Sequence, residues 1–199
     1  MRYFSSQKGF TIIELIVIIA IIGALSSIIA PNFIGVMENA KVSTAGSVQR
    51  AMTKAVEMYY IDMGFYPPDV NRGWDPGLAQ KMPWSPDAPA EGSFSTSGEN
   101  CSHCPPDWQN IVAQNWRGPY LPTWPQFTPW KGKYDYNYWP VEGTIRYGCP
   151  AVPGVYMGVE KDYYDNGDIP SSAEIKMGQY GFDVDCIDNG EAQMLLRPL

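Results

Sequence analysis

Residues 10–30 read FTIIELIVIIAIIGALSSIIA, an unbroken apolar stretch of 21 residues in which Glu14 is the single ionisable side chain. As a helix rising ~1.5 Å per residue it covers about 32 Å, enough to cross the hydrocarbon core of a bilayer. Ahead of it lies MRYFSSQKG, with Arg2 and Lys8 and no acid. The positive-inside tendency leaves that end in the cytoplasm and puts the rest of the chain outside. The expectation is a single-pass anchor in the cytoplasmic (inner) membrane that carries an exported C-terminal domain.

An ordinary secretory signal has a shorter apolar core followed by a small-residue cleavage site. Here the small residue in a suitable place, Gly9, stands before the apolar run. The segment is therefore not built to be discarded. Glu14 sharpens the point, because a carboxylate in hydrocarbon is costly and is by default a functional residue with a partner. The plainer reading is that Glu14, near the cytoplasmic end, reaches back to the head groups.

The run Lys8-Gly9-Phe10-Thr11-Ile12-Ile13-Glu14-Leu15 resembles the prepilin signature of the type IV pilin and pseudopilin superfamily. That signature is a short basic leader ending in Gly, then Phe, then Glu five residues into the mature chain at the head of the apolar helix. The resemblance implies that a membrane prepilin peptidase cuts between Gly9 and Phe10 and methylates the new amino group. It also implies that Glu14 pairs with the Phe10 amine of a neighbouring subunit. Pro31 adds to it, since pilin-like chains often carry a helix-kinking proline near this depth.

From residue 32 to 63 the pattern becomes amphipathic, with Phe33, Met37, Ala40, Thr44, Val48, Ala51, Ala55, Met58 and Tyr59 recurring at spacings of three and four. If Pro31 only kinks it, one helix runs from Phe10 to about Met63, where Gly64 and the Pro67-Pro68 pair stop it. Residues 67–140 hold thirteen of the eighteen prolines and all seven tryptophans, so neither a long helix nor a central strand fits there. A long ordered loop region is expected. Scattered tryptophans usually pack such a loop onto a core, the alternative being a sugar-binding platform. Beyond Lys133, β-rich runs at 134–139, 144–147, 155–160 and 175–184 predict a small antiparallel sheet.

The loop region extends the resemblance toward the major pseudopilin of type II secretion. Trp116-Arg117-Gly118-Pro119-Tyr120-Leu121, then Thr128-Pro129-Trp130 and Tyr134-Asp135-Tyr136, are similar to that family's GPYL and DPWG.PY.Y elements. Phe65-Tyr66-Pro67 and Gly77-Leu78 are similar to its YP…GL stretch. Residues 83–115 depart from the pattern as an insertion.

The formal charge is −7, and residues 134–199 carry eleven Asp and Glu against four Lys and Arg. Nucleic-acid binding needs a basic face, so it is not expected. Cys101, Cys104, Cys149 and Cys186 are even in number and lie far downstream of the apolar segment, as in an exported disulfide-bonded domain. The most economical pairing is Cys101 with Cys104 and Cys149 with Cys186, one of three connectivities. Zinc and redox roles are the alternatives for the CxxC. A four-cysteine zinc site would want a second close pair, and Cys149 and Cys186 are 37 residues apart. His103 is the only histidine, and without it no Ser, His and Asp set can be assembled. The major pseudopilin family is known for a calcium site in a C-terminal loop. Two acidic runs here echo it, with Asp165 and Asp168 in the first and Asp183, Asp185 and Asp188 in the second. Neither has EF-hand spacing, and a solvated acidic face is the alternative. No other cofactor is expected.

The fold expected is a pilin-like α+β fold, in which a long, half-transmembrane N-terminal helix packs on a small antiparallel sheet with a long irregular loop region. Its segments are a leader at 1–9, a transmembrane helix at 10–31, the amphipathic half of that helix at 32–63 and an exported domain at 64–199. The function expected is structural rather than enzymatic: a homo-oligomeric helical filament of a type II secretion pseudopilus, with a type IV pilus as the second reading. Other pseudopilins, the inner-membrane assembly platform, the peptidase and the membrane are its implied partners. A membrane-tethered thiol oxidoreductase using Cys101 and Cys104 is the reading from a different class.

Overall fold

The computed structural model describes residues 10–81, 101–143 and 145–199, with the backbone only at 28–32. Gly9 and the rest of the leader lie outside the described residues, as do Met82 and residues 83–100 of the expected insertion. The chain divides into two units, Met1–Ala40 and Lys41–Leu199.

The long helix is present as α1, Ile12–Met63, and its helical assignment continues through Pro31. In the first unit the apolar side chains point to solvent on all sides; Ile12, Ile13, Leu15, Ile16, Val17 and Ile18 are each exposed. Among the described residues no helix is long and apolar enough to cross a membrane. The described side chains of the apolar run end at Ser27, so the span expected over residues 10–31 lies partly outside them.

In the second unit α1 supplies one wall of the core. Its buried stripe is Val42, Ala45, Gln49, Met52, Val56, Tyr59 and Met63, an unbroken alternation of three and four residues. This corrects the predicted stripe, of which only Ala55 and Tyr59 are buried, while Ala40, Thr44, Ala51 and Met58 face solvent. The reason is Gln49: a polar residue lies at the centre of the packed face because its side-chain amide donates to the carbonyls of Met157 (2.9 Å) and Phe182 (3.1 Å). Three residues before it, Gly46 leaves room for the Phe182 ring, which any Cβ would overlap.

The opposing wall is an antiparallel sheet of β1 (Lys133–Trp139), β4 (Gly154–Glu160) and β5 (Ala192–Pro198) in the order β1-β4-β5. The predicted strand at 144–147 shrinks to β2 (Ile145–Arg146), which pairs with β3 (Cys149–Pro150) in a separate ribbon. Tyr147 and Gly148 turn that ribbon with φ of 50° and 83°, the left-handed pair that a two-residue hairpin needs. Thr144 lies outside the described residues.

Two predicted elements differ outright. The first half of residues 175–184 belongs not to a strand but to helix α3, Ser171–Gln179, and the second half is irregular. The Ile175 and Met177 alternation suggested a sheet, yet the helix buries Ala173, Glu174 and Met177 and leaves Ile175 exposed. Strand β5 escaped notice because Gln193 interrupts its apolar run and Pro198 ends it, which an edge strand tolerates. A short helix α2, Trp108–Asn115, stands within the segment expected as an insertion and puts Trp108 and Val112 into the core.

Candidate functional site

The head of α1 is built by four residues. Thr11 precedes the first helical residue, and its hydroxyl accepts a hydrogen bond from the Glu14 backbone N–H at 3.3 Å. Glu14 Oε2 in turn accepts from the Thr11 N–H and the Thr11 hydroxyl, both at 2.8 Å. Thr11-Ile12-Ile13-Glu14 is therefore a reciprocal capping box that satisfies donors otherwise left open at a helix start. The sequence reading gave Glu14 a charged partner and overlooked Thr11, although a Thr followed three places on by Glu is the signal for such a cap. All three bonds leave Glu14 Oε1 available, and Phe10 beside it is exposed. The cap and an intermolecular partner can thus coexist on one carboxylate.

In the second unit Cys101 is joined to Cys104 and Cys149 to Cys186. The small loop of Cys101 and Cys104 places His103 flat on Tyr138, with ring centroids 3.6 Å apart, and its Nε2 3.0 Å from the Pro67 carbonyl. Cys101, His103 and Cys104 are the one group among the described residues whose potential metal-ligand atoms converge. With the sulfurs bonded to each other, neither is the thiolate a metal would take. Cys149 sits in β3 and Cys186 in the loop before β5, so their bond ties the small ribbon to that loop.

Hydrogen bonds and one ion pair tie the acidic runs locally. Asp162 accepts from the backbone N–H of Tyr164 and Asn166, both at 2.8 Å. Asp168 pairs with Lys161 at 2.8 Å. Asp165 and Asp188 are exposed turn residues with φ of 58° and 73°. Asp183 Oδ1 accepts from Asp185 N–H and Gln193 N–H, and Asn189 donates to Asp185. Calcium takes roughly six to eight oxygens. Among the described residues no three carboxylates of the two runs bring their oxygens together, and Asp185 Oδ1 is buried without a hydrogen-bond partner among them.

A buried ionic network between β1, β4 and β5 went unforeseen. Glu160, fully buried, accepts from Asn137 (2.9 Å), Gln193 (2.7 Å) and the Tyr147 hydroxyl (3.0 Å) and faces Arg72 Nε at 3.4 Å. Arg72 also reaches Glu191 at 3.4 Å and the Lys161 carbonyl at 3.1 Å. One guanidinium here serves an excess of acids. Burial pushes the Glu191 carboxyl up to about 8, with Glu160 adding to the shift, and holds the fully buried Asp135 well above the carboxylate range. Burial and the adjoining Asp183 carboxyl bring Asp185 to about 8.

A carboxyl with a raised folded-state value keeps its proton where the unfolded chain, near pH 4, has lost it, so its stabilisation is full below about pH 4 and is lost as pH rises through about 8. The thermal midpoint of the second unit, followed by near-ultraviolet circular dichroism in detergent, is expected to fall steadily from pH 5 to pH 9. Glu191→Gln should flatten that slope. A midpoint that is constant or rises over this range contradicts the assignment.

Comparison with known proteins places the head of α1 in context. Residues 4–30 match the family model of the prokaryotic N-terminal methylation motif. The chain is 42% identical over 67 residues to the type II secretion system core protein G of Escherichia coli (strain K12), covering 34% of this chain and 46% of that protein. With the core protein G of Dickeya chrysanthemi the identity is 36% over 83 residues, 42% of this chain and 52% of that one. With the type IV major pilin protein PilE of Neisseria gonorrhoeae it is 40% over 63 residues, 32% of this chain and 38% of that one. The chain thus spans about half or less of the length of these curated relatives. No solved structure gives a significant match.

Proposed function

We propose that this chain is a non-enzymatic structural subunit of a type II secretion pseudopilus, processed between Gly9 and Phe10 and assembled through α1. The observation that carries this reading is the methylation motif over residues 4–30 at the head of a helix whose apolar side chains are exposed all round. Such a surface is unfavourable in water and needs lipid or other helices against it. One surface serves both purposes: it anchors the subunit in the inner membrane before assembly and packs against its neighbours in the filament afterwards. The prepilin peptidase, other pseudopilins and the assembly platform are the partners this life cycle requires.

The second unit supports the same reading. The Gly77-Leu78 and Gly118-Pro119-Tyr120-Leu121 elements meet, with the Leu78 carbonyl accepting from the N–H groups of Tyr120 (2.8 Å) and Leu121 (3.0 Å). Trp116 Nε1 donates to the Gly77 carbonyl at 2.9 Å, and the Tyr120 hydroxyl donates to Asp62 on α1 at 2.8 Å. The likeness to PilE favours a type IV pilus as the second reading. Deleting the gene separates the two, since loss of secretion with surface fibres intact marks a pseudopilus.

Intact-mass analysis of the protein from membranes tests the reading directly. Loss of residues 1–9 and gain of one methyl group on Phe10 are expected. A chain that keeps Met1, or one cut after residue 30, overturns it.

A further inference from the structure

Trp108 packs into the core and Trp116 ties two loop elements together, but the filament reading leaves other tryptophans without a task. Two of them, Trp74 and Trp124, line one open cavity of about 470 Å³ in the second unit together with Gln80, Thr123 and Gln126. That volume falls in the range of small-molecule sites. Both indoles are half-buried, whereas the two amides and the hydroxyl stand exposed at the rim. The one charged side chain in the lining, Asp75, is spent on its own backbone. It accepts from the N–H groups of Gly77 (3.0 Å), Leu78 (2.6 Å), Ala79 (3.0 Å) and Gln80 (2.7 Å).

Those bonds also make the cavity rigid before any ligand arrives. Asp75 fixes the wall that carries Trp74 and Gln80. The Leu78 carbonyl ties that wall to Tyr120 and Leu121, which lead through Pro122 into Thr123 and Trp124. Gly73 N–H anchors its other end to the Tyr134 carbonyl on β1 at 2.9 Å. A cleft held this way loses little conformational entropy on binding. Trp124 Nε1, moreover, is buried with no hydrogen-bond partner among the described residues, which leaves the indole a donor without an acceptor.

We propose that this cleft binds a neutral saccharide. Indole faces take the C–H faces of a pyranose ring, combining apolar area with a polar edge. Amide and hydroxyl groups offer donors and acceptors together, as sugar hydroxyls require. Phosphates and acidic sugars would find no cation in the lining. A proline-rich peptide also stacks on tryptophan, but it presents only carbonyl acceptors and would leave the acceptors of Gln80 and Gln126 unmatched. The proposal is independent of the filament reading.

The test is isothermal titration of the detergent-solubilised full chain with cellohexaose, chitohexaose, maltohexaose and mannohexaose, and with decaproline. Saturable binding of at least one sugar is expected, weakened about tenfold by Trp74→Ala or Trp124→Ala. Gln126→Ala, at an exposed position that leaves folding intact, should weaken it as well. No sugar binding by the wild type, binding of decaproline alone, or sugar binding that Gln126→Ala and both tryptophan variants leave unchanged each overturns the proposal.

Discussion

A strain whose only copy carries Glu14→Val is expected to insert and process the protein normally and to build no filament. Val is better tolerated in lipid than Glu, so a role confined to insertion predicts no harm. Two roles for the carboxylate remain, and they part at Glu14→Gln. A Gln at this position still completes a capping box with Thr11 but carries no charge. If capping is the whole role, Glu14→Gln assembles and secretes like the wild type while Glu14→Val fails. If the charge meets the Phe10 amine of a neighbouring subunit, both variants fail, because an amine in or near lipid is left without its counter-charge. We expect both to fail, with cleavage at Gly9 and methylation intact in each. Pelleted filaments and secreted protein from the two strains are the measurements. Wild-type levels with Glu14→Val would remove any assembly role for this residue, and normal assembly with Glu14→Gln would assign the effect to the cap.

The second large effect concerns Cys149 and Cys186. Their bond closes a separation of 37 residues, whereas Cys101 and Cys104 are 3 apart. Chain-entropy arithmetic gives roughly 4 kcal/mol for the longer loop and roughly 2 kcal/mol for the shorter. The longer bond also fixes local structure, since Cys149 Sγ accepts from Cys186 N–H at 3.3 Å and from the Asn189 amide at 3.2 Å. Replacing Cys149 and Cys186 together by Ala should lower the thermal midpoint of the second unit by roughly 10 °C. Replacing Cys101 and Cys104 should cost about half as much. A double variant at 149 and 186 that melts within a degree or two of the wild type, or four alkylatable thiols in the purified protein, would show that the bond does not hold this unit together.

What could be read from residues alone was whatever depends on near neighbours in the chain. The apolar run that Glu14 heads announced a long N-terminal helix. Gly64 and Pro67-Pro68 marked the end of α1, and Tyr134 to Trp139 alternated well enough to announce β1. These signals are local because a helix stop, a cap or a pleat is set within a few residues. Even there Glu14 carries two signals, its charge and its spacing of three from the Thr11 hydroxyl, and the cap rests on the second.

The tertiary structure alone decided which polar residues lie inside. Gln49, Glu160, Glu174 and Gln193 look like surface residues in the sequence and are fully buried in the fold. Each is held by partners well separated along the chain: Gln49 by Met157 and Phe182, Glu160 by Arg72, Asn137 and Tyr147, Glu174 by the backbone N–H groups of Asp188 and Gly190, and Gln193 by Glu160. A polar side chain can be buried only where such partners converge, and convergence across tens of residues leaves no periodic trace. For that reason the buried stripe of α1 runs along a different face from the one its spacing predicts, residues 175–179 form α3 rather than a strand, and β5 carries no periodic signal. The same limit applied to the disulfides, where the sequence allowed three connectivities, and the packing of β3 against the loop before β5 left one.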